Sequence, residues 1–385
     1  MIIGAGAAGC FCAAELSSLR PDMEISILEA GPRPMAKLSI TGGGRCNLTN
    51  SFEGVENLAE VYPRGSKLMR RALGRFGWRE CCRWFEDEGV QLLVQDDHCV
   101  FPVSQDAMQI VRTLERRMRK GGVRLMCGSR IDNISRVLDS ADAVVLATGG
   151  GTAGILEGMP IELVSPVPSL FTLRINDAGL RSLMGTVTEN VTLGLAGTRF
   201  RAHGTLLLTD WGVSGPATLK LSSYAARELA AGGYKGMLLV NWLGCSEDEC
   251  RALLRSMASG SGRLIINSHP PRLTERLWRH LVLRAGVRED SRWGELGLKS
   301  SARLVNTLIS DTYDIIGRAR FKEEFVTCGG VSLSEVRPES MESRKLPGLY
   351  FAGEVLDIDA VTGGFNLQAA WSTAWIAAHS IAEKY

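Results

Sequence analysis

The sequence predicts an α/β protein in which a domain that is split along the chain is interrupted by a second domain. Apolar strands that end in glycines stand near both ends of the chain, and the residues between them alternate in polarity like antiparallel strands before they turn helical. The 385 residues also exceed the length at which one hydrophobic core usually stops growing. We expect a discontinuous domain over 1–160 and 325–385, and an insert over 161–324 that is β-rich over 161–245 and helical over 246–324.

Composition and charge argue against several classes of protein. The 44 basic and 42 acidic side chains give a formal net charge of +2, so we expect neither nucleic acid nor an anionic membrane as a partner. The basic run at 114–122 follows an apolar stripe and is expected to be a solvated helix face. Because the chain has no charged leader and no run of about 18 apolar residues, we expect a cytoplasmic protein.

Cysteine and histidine usage points away from disulfides and metals. The ten cysteines include no CxxC pair and form no disulfide-dense pattern, so reduced and mostly buried thiols are expected. The five histidines are scattered without ligand spacing, so we expect no metal site.

The first segment, "MIIGAGAAGCFCAAEL", has the pattern of a Rossmann-type dinucleotide turn. Gly4, Gly6 and Gly9 have G-x-G-x-x-G spacing between an apolar stub and an alanine-rich helical run. Gly4 would permit the tight turn, Gly6 would let the backbone approach a pyrophosphate, and Gly9 would let the helix pack on the strand. The pyrophosphate would then lie at the positive N-terminal end of that helix.

The next strand, "MEISILEAG", ends on Glu29, twenty residues after Gly9. A carboxylate at this distance accepts hydrogen bonds from ribose hydroxyls and disfavours a 2′-phosphate. The fingerprint therefore predicts FAD or NAD and does not choose between them.

A third apolar strand, "ADAVVLATGGG" (141–151), would return beside the first, and its Thr148, Gly149 and Gly150 would close against the dinucleotide. Just upstream, "VRLMCGSRIDNISR" is interpreted as a pair of strands, and the backbone of Ile131 is expected to lie against an adenine.

The C-terminal segment supplies a second anchor. The strand "GLYFAGE" runs toward Asp357, and Gly363 and Gly364 lead into a long helix. The Asp357 carboxylate would accept from a ribityl hydroxyl, and the first backbone N–H groups of the helix (Phe365, Asn366, Leu367) would face the flavin N1 and C2 carbonyl. A plain helix cap and turn is the alternative interpretation of these residues.

The insert alternates like strands in "SLFTLRI", "TVTENVTLGLA", "TRFRAHGTLLLTD" and "KGMLLVNWL", which predicts an antiparallel sheet or small barrel. One helix is expected to begin near Pro216 and another at the Ser246-x-x-Glu249 capping box, with further helices in "TERLWRHLVLRAG" and "LKSSARLVNTLIS". No second dinucleotide fingerprint occurs, so a pyridine nucleotide would have to bind without its own Rossmann unit.

With these motifs in this order, the sequence resembles the bacterial FAD-dependent oxidoreductases related to aminoacetone oxidase, a branch of the glutathione-reductase-like flavoproteins. The resemblance is carried by "GAGAAG", "TGGGRCNLTN", "LATGG", "LLLTDWGVSGPATLKLS" and residues 325–371. It implies FAD as cofactor and a substrate cavity between the insert and the flavin. The chain departs from this pattern after "LATGG", where "GTAGILEGMPIEL" is shorter than the usual Pro- and Gly-containing segment, which weakens the inference about substrate.

The resemblance also places the loop 41–50 along the cofactor. Gly42, Gly43 and Gly44 would let the backbone approach a flat ring, while Arg45 and Asn47 would bind phosphate or flavin edges. Cys46 is the candidate catalytic residue, as a redox-active thiol beside the flavin, with simple packing as the alternative. The full set of expected cofactor contacts is Gly4, Gly6, Ala7, Ala8, Gly9, Glu29, Ala30, Lys37, Thr41, Gly42, Gly43, Gly44, Arg45, Cys46, Asn47, Ile131, Ala147, Thr148, Gly149, Gly353, Glu354, Asp357, Gly363, Gly364, Phe365, Asn366 and Leu367.

The expected function is FAD-dependent hydride transfer through flavin N5 to or from a small-molecule substrate. Two directions stay open: oxidation of an amine, or reduction of a substrate with NAD(P)H as the electron donor. A flavin-bound redox-responsive module without turnover and an FAD-dependent RNA-modifying enzyme are the alternatives from other classes, and near-neutral charge disfavours the second. The sequence leaves the oligomeric state open.

Overall fold

The computed structural model describes residues 1–151, 154–259, 262–319 and 326–385. The chain forms two compact units, one of Met1–Val167 with Val326–Tyr385 (the first unit) and one of Pro168–Phe325 (the second unit). The sequence-predicted return to the first domain, at 324/325, falls outside the described residues, as do Thr152 and Ala153 of the shortened segment.

The described residues form the following strands: β1 (Ile2–Ile3), β2 (Ser26–Glu29), β3 (Thr49–Asn50), β4 (Leu92–Val94), β5 (Cys99–Pro102), β6 (Arg124–Cys127), β7 (Val144–Leu146), β8 (Leu163–Ser169), β9 (Leu173–Ile175), β10 (Val187–Leu195), β11 (Arg201–Leu208), β12 (Gly212–Ser214), β13 (Gly236–Asn241), β14 (Asp311–Arg318), β15 (Val326–Val331) and β16 (Leu349–Phe351). The α-helices are α1 (Ala7–Leu19), α2 (Leu58–Val61), α3 (Ser66–Leu73), α4 (Trp78–Asp87), α5 (Ala107–Lys120), α6 (Ser135–Leu138), α7 (Ala178–Arg181), α8 (Pro216–Tyr224), α9 (Ala226–Ala231), α10 (Glu247–Ala258), α11 (Glu275–Arg284), α12 (Leu298–Ile309) and α13 (Phe365–Lys384).

A parallel five-stranded sheet in the order β16-β7-β1-β2-β6 is the centre of the first unit. Strand β1 pairs with β2 on one side and with β7 on the other, so the first glycine turn leaves from the middle of the sheet. This arrangement confirms the predicted Rossmann-type α/β class. One detail is wrong: 123–136 contains a single strand, β6, followed by a turn and the short helix α6, so Ile131 lies outside any strand.

Helices α1 and α13 pack against each other in the first unit. Both are apolar nearly all round, as expected for helices buried on more than one face. Phe11 of α1 and Trp371 of α13 are fully buried, with ring centroids 5.3 Å apart. Burial of each such side chain contributes about 2–3 kcal/mol, so this contact fixes α13, and with it the C-terminal site segment, against the helix of the first glycine turn.

The second unit contains a closed antiparallel barrel with the strand order β10-β11-β12-β9-β14-β13. Four of its strands lie within the segments predicted from alternation. Strand β14, which closes the barrel between β9 and β13, falls in the range predicted to be helical. The Asp311–Ile315 part of β14 alternates buried and exposed residues, but Asp311 is buried and Ile316 is exposed, so the polarity of the sequence does not show this alternation.

Local helix signals in the second unit were informative. The Ser246 hydroxyl accepts a hydrogen bond from Glu249 N, and the Glu249 carboxylate accepts one from Ser246 N, so α10 has the predicted capping box. Helix α8 begins at Pro216 as predicted, but the run breaks at Ala225 into α8 and α9 before Gly232. Among the described helices, none combines the length and the hydropathy that a membrane crossing requires.

Candidate functional site

The turn between β1 and α1 has the geometry that the glycine spacing predicted. Gly4 has φ +102°, and a Cβ there would lie 2.5 Å from the carbonyl oxygen of Ala147. A Cβ on Gly9 would lie 2.0 Å from the carbonyl oxygen of Gly4, so the helix can approach the strand only with glycine at both positions. A Cβ on Gly6 would meet no described atom within 4 Å. Gly6 therefore faces open space, where a ligand can approach.

Glu29 organises this turn from the end of β2. Its two carboxylate oxygens accept hydrogen bonds from the backbone N–H groups of Ala5 and Gly31, each at 2.7 Å. The carboxylate is half-buried, and an ionised carboxylate has about four acceptor positions. It thus holds the glycine turn against β2, a role that sequence spacing alone did not indicate, and it retains capacity for hydroxyl donors.

The loop 41–50 has an unusual backbone. Gly42, Gly43 and Gly44 have φ of +62°, +69° and +84°, and Cys46 follows with φ +62°. A Cβ on Gly42 would lie 2.8 Å from Asn47 N and overlap it, whereas a Cβ on Gly43 or Gly44 would meet no described atom within 4 Å. The N–H groups of Gly44 and Cys46 donate to carbonyls of the same loop, so the positive-φ backbone closes the loop as a tight turn. Without side chains at Gly43 and Gly44, a flat group can lie close to the outer face of this turn.

The side chain of Arg45 projects from this loop and is exposed to solvent. Its guanidinium lies 4.5 Å from the centroid of the Phe101 ring, and its Nε donates to the Gly42 carbonyl. Stacking on an aromatic face pre-orients the guanidinium while most of its donors stay available.

Side chains from distant parts of the chain hold the loop against α13. Trp371 Nε1 donates to the carbonyl of Leu48 at 2.9 Å, and Asn50 Nδ2 donates to the carbonyl of Gly363 at 3.0 Å. Thr49 donates to the buried Gln368, whose amide also donates to the Phe76 carbonyl. The roles of Thr49, Gln368 and Trp371 were not predicted. Their hydrogen-bond partners lie 319 or 323 residues away along the chain, and no local sequence signal pairs them.

The N-terminus of α13 adjoins this loop. Gly364 has φ +89°, and a Cβ there would lie 2.3 Å from the carbonyl oxygen of Thr49. In the orientation that satisfies its neighbours, the Asn47 amide accepts from Gly364 N and donates to the Thr49 carbonyl. The first N–H groups of a helix have no partner within the helix, so α13 presents those of Phe365, Asn366 and Leu367 at its start.

Asn366 has a second, structural role. Its side-chain amide accepts from Ala360 N at 2.9 Å and donates to the Ala360 carbonyl at 3.0 Å. The pair fixes the loop that joins the end of β16 to α13. The backbone N–H of Asn366 remains part of the helix start, as the sequence predicted, while its side chain serves the loop.

Four further predicted residues, Gly353, Glu354, Lys37 and Gly149, lie near one another at the end of β16. Gly353 has φ +76°, and a Cβ there would lie 2.8 Å from Ala8 Cβ, which brings this loop onto the start of α1. Glu354 accepts from Thr327 N and lies 3.7 Å from the exposed ammonium of Lys37. A Cβ on Gly149 would lie 3.4 Å from the Glu354 carboxylate.

Asp357 is half-buried and its N–H donates to the Val331 carbonyl. Two residues on, the fully buried Asp359 pairs with Arg64, and this pair raises the pKa of Arg64 although burial acts to lower it. The Arg64 pair ties the segment before α3 to the Asp357 loop and was not foreseen. Ile131, by contrast, lies in the irregular segment between β6 and α6.

Cys46 is fully buried, and burial raises its pKa to about 12. A thiol with this pKa is protonated at neutral pH and is a poor nucleophile. The geometry favours the packing role that the sequence left open, and the redox role remains a prediction.

The glycines of the site divide into two groups, and this division tests the fit to FAD. Gly4, Gly9 and Gly364 are required by the backbone itself, because a Cβ would overlap protein atoms. Gly6, Gly43 and Gly44 meet no described protein atom, so their conformations leave room on the ligand side. Neither α1 nor α13 has an acidic residue in its first turn, which keeps both positive helix ends available for anionic groups. These residues fit FAD.

No group of His, Cys, Asp and Glu side chains within the described ranges could hold a metal ion.

The Rossmann-type sheet with its glycine turn, together with the family and the relatives reported below, defines the class: the protein is an FAD-dependent oxidoreductase. The family model described as the HI0933-like protein Rossmann domain matches residues 1–380. The chain belongs to the HI0933-like family.

Similar proteins cover nearly the whole chain. The ribosomal RNA dihydrouridine synthase of Escherichia coli K12 is 30% identical over 99% of this chain and 97% of its own length. The 3-dehydro-bile acid delta(4,6)-reductase of Clostridium scindens is 26% identical over 100% of this chain and 98% of its own length. The solved 3-ketosteroid delta1-dehydrogenase of Sterolibacterium denitrificans shares the fold at a TM-score of 0.50 and 10% identity, over 100% of this chain and 99% of that one.

Proposed function

We propose that this protein uses NAD(P)H to reduce its FAD and then reduces a carbon–carbon double bond that is conjugated with a carbonyl group. The observation that carries the proposal is what the names of two full-length relatives have in common. A dihydrouridine synthase and a delta(4,6)-reductase of a 3-dehydro-bile acid both saturate such a bond. The ring systems differ, but the reacting group is the same electron-poor alkene.

The site residues support this chemistry by binding and orientation. The N-terminus of α1 would hold the pyrophosphate, with Glu29 accepting from ribose hydroxyls. The backbone N–H groups at the start of α13 would face the N1 and C2 carbonyl edge of the flavin, where reduction places negative charge. FAD supplies hydride transfer when it is bound, and a helix N-terminus favours its reduced, anionic form.

The Lys37–Glu354 pair offers a cation beside the same region. The Lys37 side chain is 70% exposed and 3.7 Å from Glu354, so it can move without breaking a buried pair. We propose that Lys37 and Arg45 contribute positive charge along the cofactor or the nicotinamide nucleotide, which has no Rossmann unit of its own in this chain.

A uracil base in RNA is the second candidate for the substrate. It is favoured because the relative with 30% identity is named for that modification. A steroid-like enone and a uracil base present the same conjugated alkene, so the site chemistry is common to both. Amine oxidation, which the resemblance to aminoacetone oxidase suggested, would instead have the substrate reduce the flavin.

Product analysis tests the direction of the reaction. The purified protein with FAD and NADPH would be incubated without oxygen with a 3-oxo-Δ4 steroid or with a uridine-containing RNA. In a separate reaction, aminoacetone would be incubated with the protein and FAD in air, without NADPH. We expect mass spectrometry to show a gain of two hydrogens on the steroid or on the uracil base. An oxidised amine product, with both alkenes unchanged, would contradict the proposal.

A further inference from the structure

We propose that helices α3 and α4, with the turn between them, form an RNA-binding surface. The inference rests on the RNA form of the proposed function. This basic surface is defined as residues 64–83, "RGSKLMRRALGRFGWRECCR".

Charge is concentrated in this segment. It holds seven of the basic side chains of the protein and one acidic side chain, although the whole chain has a formal net charge of only +2. The single carboxylate, Glu80, accepts from Gly77 N at 3.0 Å and is turned toward the start of its own helix. Net charge over 385 residues therefore conceals a local positive field of the kind that attracts a phosphate backbone.

Both helices pack on α13 and expose their cations. Leu68, Met69 and Ala72 are the buried positions of α3, and Cys81 and Phe85 are those of α4. The exposed positions carry the charges of Lys67, Arg70, Arg71, Arg75, Arg79 and Arg83.

Two carboxylates from outside the segment lie near these cations: Glu339 pairs with Arg71, and Glu86 lines the same pocket as Arg79 and Arg83. Glu339 lies 3.3 Å from Arg71, and its backbone carbonyl accepts from Arg75. An ion pair between two exposed side chains is worth at most about 1 kcal/mol, so a phosphate can replace this partner.

Aromatic rings lie among these cations. The Arg79 guanidinium is 5.0 Å from the centroid of a Trp78 ring, and that of Arg75 is 5.7 Å from a Trp375 ring. Trp78 and Trp375 are half-buried. Partly exposed aromatic and guanidinium planes are the groups on which unpaired bases stack, at about 1–3 kcal/mol per base.

A surface pocket of about 300 Å³ opens beside α4. It is lined by Leu92, Val94 and Val100 of the antiparallel sheet β3-β5-β4 and by Trp78, Arg79, Cys82, Arg83 and Glu86 of α4. The volume is at the lower end of the range for small-molecule pockets. Apolar and aromatic groups with two guanidinium groups and one carboxylate, that of Glu86, suit one unstacked base, with the two arginines available to its neighbouring phosphates.

The basic surface begins at the candidate site. A Cβ on Gly65 would lie 2.6 Å from Ile358 Cγ1, and Arg64 pairs with Asp359, so the start of α3 is held on the Asp357 loop. An RNA strand that follows the cations of α3 would therefore reach the region expected to hold the flavin. The aromatic stacking groups and the base-sized pocket favour RNA over an anionic membrane, because binding to an anionic membrane surface requires only positive charge.

A charge-matched pair of variants tests the surface. Arg70→Gln, Arg79→Gln and Arg83→Gln would be combined in the test variant. Arg112→Gln, Arg116→Gln and Arg119→Gln, which remove the same charge from the exposed face of α5, would be combined in the control. Binding of a fluorescein-labelled RNA stem-loop with a uridine-containing loop would be followed by anisotropy across a salt series, with flavin content measured on each preparation.

We expect the test variant to bind about tenfold or more weakly and to lose about 2 from the slope of log K against log salt, because three contacts contribute roughly 0.7 each on single-stranded RNA. The control variant should bind like the unchanged protein. Absence of RNA binding by the unchanged protein, equal losses in both variants, or binding of phosphatidylserine vesicles but not RNA would each overturn the proposal. If the RNA-binding proposal fails, the proposal of NADPH-driven reduction of a steroid enone still stands. Normal RNA binding without reduction of any alkene would instead reject the proposed function and leave the RNA-binding surface in place.

Discussion

At the scale of single residues, the site is built on glycines with two different purposes. Gly364 has a positive φ and no room for a Cβ against Thr49, whereas Gly43 has a positive φ and open space beside it. The first type supports the fold, and the second leaves a surface that something else can approach. This distinction allows the fold and the cofactor site to be tested separately.

Gly364→Ala should lower the free energy of unfolding by about 2 kcal/mol or more, since it adds backbone strain and an overlap with the Thr49 carbonyl. Gly43→Ala should lower the free energy of unfolding by only about 1 kcal/mol, because only the left-handed backbone conformation is strained. It should nevertheless weaken FAD binding, because the added methyl group would occupy space beside the loop where the cofactor is expected to lie. Chemical unfolding of the FAD-free proteins and FAD titration measure the two effects. Equal FAD affinity of Gly43→Ala and the unchanged protein would contradict the assignment of this loop.

Cys46 permits a second residue-scale prediction. Because its thiol is buried and its pKa is raised to about 12, Cys46→Ala should lower the free energy of unfolding by about 1–2 kcal/mol and leave turnover largely unchanged. Turnover per bound flavin is the measurement. Loss of turnover with flavin still bound would instead establish the redox role.

At the scale of elements, buried polar groups join α1, α4 and α13. The Glu15 carboxylate of α1 accepts from Trp84 Nε1 of α4 at 2.8 Å and from His379 Nε2 of α13 at 3.0 Å. Burial alone would raise the pKa of Glu15, but the hydrogen bonds from His379 and Trp84 outweigh it and hold this pKa below its ordinary value of 4.5. The ionised carboxylate therefore stabilises the packing of three helices.

A carboxyl group with a lowered pKa in the folded state stabilises the protein above its unfolded-state pKa, and that contribution is lost as pH falls through the folded-state pKa. Glu15→Gln should lower the free energy of unfolding by about 1–3 kcal/mol near neutral pH, because one amide cannot accept from both donors. The difference between the variant and the unchanged protein should shrink below about pH 4.5. A difference that stays constant from neutral to acidic pH would show that the charge of Glu15 is not responsible.

The elements also show which sequence signals were sufficient. The glycine turn, the capping box at Ser246 and the helix start at Pro216 depend on residues within one turn of each other, so the sequence predicted them. Strand β14 and the single strand at 124–127 depend on pairing partners elsewhere in a sheet. Polarity does not follow burial in β14, where Asp311 is buried and Ile316 exposed, and the four residues of β6 are all exposed. The links from Thr49 to Gln368 and from Leu48 to Trp371 exist only once α13 packs beside the loop.

At the scale of the whole molecule, the sequence predicted the class of fold, but not the distribution of charge over the surface. Opposite charges elsewhere cancel the cations of residues 64–83 in the net sum. Only the packing of α3 and α4 on α13 shows that those cations share the exposed sides of the two helices.

The most direct test of the central claim is an absorption spectrum of the purified protein after incubation with FAD, followed without oxygen by NADPH and then by a conjugated enone. We predict a bound flavin band that bleaches with NADPH and returns when the enone is added. A protein that shows no flavin band after incubation with FAD would contradict the assignment of the loop 41–50 and the N-termini of α1 and α13 as the cofactor site.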